Sequence, residues 1–277
     1  MIKKSGRQGG MNGLVRALLA GHLTWNIPIL FVLLGIMIAY IVFVKKHHRL
    51  MACFVKPLLF FIGIGLLYLS IGSPLLSISY LSFSLHMIQM SFLFFIIPPL
   101  ILLGIPHHLY KKMIDLPLIR KINVFNLSPK GSLITFAVLF LFYHLPIFLT
   151  FISQQPLIQK GYIALLFMLS FRMWWPIASP NPQQRLSKQK MKRYAVQSGW
   201  VIMPACLLFI VSALLEGVSN PFLVQMTTHL CIPPDFSPVQ LLPSPFNTKY
   251  DQMMAGFFMI GLHKFGLVVT YKLGRKY

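Results

Sequence analysis

The segment from Pro57 to Tyr110 contains no Asp, Glu, Lys or Arg. It is more than twice the ~20 residues that an α-helix needs to cross a hydrocarbon core, so it must hold two membrane spans. Along the whole chain seven apolar runs stand out, at about 25–44, 57–76, 81–105, 131–151, 161–179, 196–217 and 252–271. They lack the period-two alternation of barrel strands, and unpaired backbone is intolerable in lipid, so each reads as a helix. The expected fold is an all-α integral membrane protein, a bundle of seven transmembrane helices.

Charge sets the expected orientation. Only 10% of the residues are charged, whereas an ordinary soluble domain is roughly one quarter charged. A net charge of +21 would point to nucleic acid in a soluble protein. Here the basic residues gather in short segments between apolar runs, which is a topology signal. The segments 45–56, 106–130, 172–195 and 272–277 carry eighteen Lys and Arg; residues 1–24 and the loops 77–80, 152–160 and 218–251 carry six. The first set is therefore expected in the cytoplasm, with the amino terminus outside and the carboxy terminus inside. Three parts follow: a basic exterior segment 1–24, a helical domain 25–271 with a proline-rich exterior loop 218–251, and a basic cytoplasmic tail 272–277. No A-x-A-like cleavage site follows the basic start, so no removable signal peptide is read.

Enzyme chemistry has little material. The only acidic residues are Asp115, Glu216, Asp235 and Asp251, and Cys53, Cys206 and Cys231 form no C-x-x-C pair. There is no P-loop, G-x-S-x-G or H-E-x-x-H, and no internal repeat of the inverted-transporter kind. The chain is not expected to be an enzyme.

With that orientation, several polar residues converge at the outer depth of the bundle: His86, Met87, Gln89 and Met90 in the third run, Tyr143 and His144 in the fourth, Glu216 ending the sixth, and Asp251 and Gln252 opening the seventh. His86 and Met90 are spaced i, i+4, and Met87 and Met90 i, i+3, so one helix side presents imidazole and thioether. That donor set suits Cu(I), because soft sulfur selects it over harder ions. Each residue also has a plainer role: a histidine bonding a neighbouring helix, methionines filling a core, Asp251 capping a helix, Glu216 sitting at an interface. Pro146 removes the backbone donor that would serve the Phe142 carbonyl, so a kink is expected just after His144. Lys264 reads as a snorkelling cation, His47, His48, His107 and His108 as solvated, and Trp174 and Trp175 as an interfacial belt.

The runs His86-Met87-Ile88-Gln89-Met90, Pro98-Pro99-Leu100, Leu103-Gly104-Ile105-Pro106, Tyr143-His144-Leu145-Pro146, Trp174-Trp175-Pro176, Asp251-Gln252 and Ala255-Gly256, in this order, resemble the CtaG family of cytochrome c oxidase assembly factors of Gram-positive bacteria. The resemblance covers about residues 20–270. It implies a multi-pass plasma-membrane protein, with the lipid bilayer, the catalytic subunit of a caa-type haem-copper oxidase and other oxidase assembly proteins as partners. The implied role is help in forming that subunit's copper centre, and the donors converging at one depth add the expectation that copper is bound transiently. Many members look like H-M-x-Q-H-M at the third run, where this chain has Met90 and then Ser91. Carried over, His86, Met90 and His144 are the metal-handling candidates, with Asp251 and Gln252 as supporting or gating groups; the convergence at one depth adds Met87 to the copper candidates and Gln89, Tyr143 and Glu216 to the supporting or gating groups. The rival reading is a membrane transporter of copper or another small solute, for which His263 and Lys264 would continue a path inward. A seven-helix photoreceptor with Lys264 as Schiff-base lysine matches nothing else in the seventh run.

Overall fold

A computed structural model describes residues 25–46, 55–80, 82–114, 128–215, 244–246 and 248–276. The expectations for the amino-terminal segment, for Cys53, Asp115, Glu216, Cys231 and Asp235, for His47 and His48, and for most of the proline-rich loop lie outside these residues.

Among the described residues every regular element is helical. In order they are α1 (Ile27–Lys46), α2 (Val55–Ile71), α3 (Leu75–Ser79), α4 (Phe83–Ser91), α5 (Ile97–Gly104), α6 (His107–Ile114), α7 (Pro129–His144), α8 (Pro146–Ser153), α9 (Pro156–Ala178), α10 (Lys188–Leu215) and α11 (Lys249–Lys276). A π-turn at Phe92–Ile96 joins α4 to α5, making one central helix, Phe83–Gly104. A 3-10 turn at Pro182–Gln184 precedes α10.

All seven apolar runs fall on helices. Among the described residues five helices are long and apolar enough to cross a membrane: α1, the central helix, α9, α10 and α11. The other two runs are shortened by local chemistry. α2 ends at Ile71 because Gly72-Ser73-Pro74 turns the chain, leaving 17 residues. The fourth run is divided at Leu145, whose ψ of 129° is extended, as expected for a residue before proline. The Phe142 carbonyl, denied a donor by Pro146, accepts from Leu145 N–H at 3.1 Å instead. Several helices of this kind make the chain a membrane protein.

The central helix is the hub. Of its most apolar stretch 89% is buried, against 17% for α1. α2 crosses it closely because Gly104 has no side chain: a Cβ there would stand 2.5 Å from the Phe60 backbone nitrogen. α1 attaches at the same place, with Tyr40 stacked on Phe60 at 4.1 Å and its hydroxyl donating to the Gly104 carbonyl at 2.8 Å. On the opposite flank Gly266 of α11 lies against the Phe95 carbonyl, 2.5 Å from where its Cβ would be. Small residues at such crossings let backbones approach, which is how helices bind one another in lipid.

The π-turn follows from Pro98 and Pro99. Neither has an N–H, so the Phe94 carbonyl is denied both its i+4 and its i+5 donor. Trp174 supplies the missing hydrogen bond, its indole Nε1–H donating to Phe94 O at 2.9 Å. Trp174 is thus buried as a lock on the central helix, which corrects its reading as an interfacial belt residue. Trp175 is only part-buried and donates to Gln184 at 3.1 Å, and His107 and His108 are exposed. At the far end of α11, Arg185 donates to the Gly274 carbonyl at 2.6 Å, satisfying a carbonyl of the last turn.

Candidate functional site

The site is built where α11 begins beside the start of the central helix. Ser82 is the N-cap of α4, its hydroxyl accepting from Leu85 N–H. That hydroxyl also donates to both carboxylate oxygens of Asp251 at 2.9 Å. Phe83 N–H and Ser84 N–H donate to the same carboxylate at 3.0 and 3.3 Å, and the Ser84 hydroxyl makes a further short hydrogen bond to it. Asp251 therefore caps a helix other than its own. A buried anion is stable there because it meets the positive end of the helix dipole and charge-assisted donors.

Gln89 performs a second cross-helix task. Its Oε1 accepts from the Ser79 hydroxyl at 2.6 Å and its Nε2 donates to the Ser70 carbonyl at 2.6 Å, fixing α2 and α3 to α4. His86, one turn into α4, is buried with its ring 5.6 Å from that of Tyr80. Met87 and Met90 are each 1% exposed.

His144 reaches the same region from α7. Because the helix stops at Leu145, its imidazole sits at a helix end, packed on Phe140, Tyr143 and Phe209 with ring centroids 4.4, 5.2 and 5.3 Å away. Phe209 in turn meets Phe83 at 6.2 Å, so one aromatic ring bridges His144 to the start of α4. His86 and His144 lie within electrostatic reach of each other. The Nδ1 of His144 is 2.6 Å from the Phe140 carbonyl, which requires Nδ1 to be the protonated nitrogen. Its buried Nε2, a lone pair, has no hydrogen-bond partner. This arrangement, one nitrogen oriented by a backbone carbonyl and the other bare, is how protein histidines are prepared to ligate metals.

Other buried polar atoms nearby are also unsatisfied: the Tyr143 hydroxyl, the Gln159 Nε2 and the Gln252 Oε1. Tyr143 stacks on Tyr162 at 5.8 Å, and its hydroxyl neighbours Gln159 without reaching hydrogen-bonding geometry. Gln252 uses its Nε2 on the Ser212 hydroxyl at 2.5 Å. Native interiors leave few polar atoms unpaired, so each of these is open to a water or another polar partner.

Of the residues expected from sequence, His86, Met87, Gln89, Met90, Tyr143, His144, Asp251 and Gln252 are all buried at this end of the bundle. Glu216 lies outside the described residues. Sequence reasoning missed Ser82, Ser84 and Gln159. A serine just before a helical run is a capping signal that would have found Ser82, whereas Gln159 gives no signal at all within an apolar run. Among the described residues no three His, Cys, Asp or Glu side chains converge as a site for a harder metal ion would require.

His263 and Lys264 part company. His263 is buried, while Lys264 is exposed on the outside of α11, as a snorkelling lysine is. An outward Lys264 leaves the photoreceptor reading without its central residue.

No curated protein and no solved structure matches the chain. The family model described as cytochrome c oxidase caa3 assembly factor (Caa3_CtaG) matches residues 38–271, which contain the central helix, the broken fourth run and Asp251. The chain belongs to the caa3-type cytochrome c oxidase assembly factor family.

Proposed function

We propose that the chain crosses the cell membrane seven times, amino terminus outside and carboxy terminus in the cytoplasm, and carries Cu(I) as cargo for the copper centre of the oxidase catalytic subunit. The eighteen-to-six division of Lys and Arg supports that orientation. With that orientation the Asp251 end of the bundle is the outer one. Copper arriving from outside meets His86, Met90 and His144 first.

The observation that carries this reading is His144, whose Nδ1–H is held by Phe140 while Nε2 is buried and bare. His86 and Met90, one turn apart on α4, complete a donor set of neutral nitrogen and thioether. Such a set suits Cu(I), with ligands that carry no charge of their own into the apolar interior. Met87, buried on the same helix, is a further soft donor. Gln89 and Asp251 fix the helix that presents His86, and Tyr143 and Gln252 offer hydrogen bonds to a water or a partner group during transfer. The chain acts as an assembly factor and not as a catalyst.

The test is Cu(I) titration of the purified chain in micelles, comparing wild type with a His86→Ala, His144→Ala double variant. Loss of at least a hundredfold in affinity is expected; equal affinity would remove the site.

A further inference from the structure

α11 carries a second pair of imidazole and thioether that the site at the Asp251 end does not use. Asp251 bonds the start of the central helix and Gly266 lies on the Phe95 carbonyl, so the two helices run parallel and touch over this length. Residues 251, 255, 259, 263 and 266 follow the spacing of one helical stripe. Asp251, Ala255, Met259 and His263 are all buried. Met259 and His263 therefore face the central helix, one turn apart.

The imidazole of His263 is wedged among apolar rings, 4.8 Å from Phe95 and 6.3 Å from Trp174. Its Nε2 is buried without a hydrogen-bond partner. Phe95 belongs to the π-turn that Pro98 and Pro99 impose, a distortion frequent at functional positions. From Asp251 to His263 the helix descends about 18 Å, so this pair lies well below the level of His86.

We propose that Met259 and His263 form a second, deeper Cu(I) position on the seam between α11 and the central helix. A soft thioether and an imidazole, both neutral, are donors suited to that ion. Copper enters and leaves as Cu(I), and neutral donors release no proton on binding. The bundle then holds two stations for its cargo, the inner one occupied from the outer. This inference rests on the copper reading of the preceding subsection.

The test is titration of the full-length chain in micelles with Cu(I) against a colorimetric chelator. Wild type should take two equivalents. Met259→Leu, which keeps volume and removes sulfur, and His263→Gln should each weaken one equivalent at least tenfold; His86→Ala with His144→Ala should remove the other. In that double variant, X-ray absorption should find the remaining copper bound by nitrogen and thioether sulfur. Because His263→Gln disturbs packing on Phe95, Met259→Leu with helicity matched by circular dichroism is the decisive variant. Unchanged binding in Met259→Leu and His263→Gln overturns the inner position and spares the outer one. A single equivalent, lost only on changing Met259 or His263, upholds the inner position and overturns the outer. No Cu(I) binding by wild type overturns both.

Discussion

The Ser82 hydroxyl donates to both carboxylate oxygens of Asp251 at 2.9 Å, a link between residues 169 positions apart. Together with the N–H groups of Phe83 and Ser84 it makes the first turn of α11 the cap of the central helix. Asp251→Asn keeps the shape but replaces one acceptor oxygen with a donor facing N–H groups. Thermal unfolding in micelles should show a loss on the order of 3 kcal/mol. A variant as stable as wild type would mean the carboxylate has no capping role.

Gly104 is predicted to be intolerant of a single methyl group, because its Cβ would stand 2.5 Å from backbone of α2. Gly104→Ala should cost about 2 kcal/mol through forced separation of the helices. Gly65, with nothing within 4 Å of its would-be Cβ, provides the control, and Gly65→Ala should be neutral or slightly stabilising. Equal effects at the two positions would contradict the close crossing.

Trp174→Phe removes the donor that, among the described residues, serves the Phe94 carbonyl in place of the helical N–H groups the prolines lack. About 1–2 kcal/mol of stability should be lost. Trp175→Phe should cost less, because its bond to Gln184 is exposed to solvent. Unfolding measurements on the two variants decide it, and a milder effect at Trp174 would count against the lock.

Much of this architecture was legible in the chain, and the boundary follows the range of the interaction. The break after His144 could be read because a proline acts on a carbonyl four residues away. The donor for Phe94 could not, because it comes from Trp174, 80 positions distant, and a tryptophan beside basic residues more readily suggests an interface. Asp251 was recognisable as a capping residue, but sequence ties a cap to its own helix and here it serves another. His86 and His144 could be placed at one depth by counting residues. That His144 turns a bare Nε2 inward depends on the Phe140 carbonyl and on Phe209 packing against its ring, which only the fold supplies.

Tyr143 separates stability from function. Its buried hydroxyl has no hydrogen-bond partner, so Tyr143→Phe should leave thermal stability unchanged or raise it by up to about 1 kcal/mol. Oxidase copper content in cells carrying the variant should nevertheless fall if the hydroxyl serves cargo transfer. A destabilised variant would show the hydroxyl to be structural.

The most direct test of the copper account is the copper-to-haem ratio of the terminal oxidase, measured in membranes of cells whose only copy of this chain carries His86→Ala and His144→Ala, at matched protein level. The account predicts that haem is retained while copper and oxidase activity are lost. An oxidase with its full copper content and normal activity would contradict it.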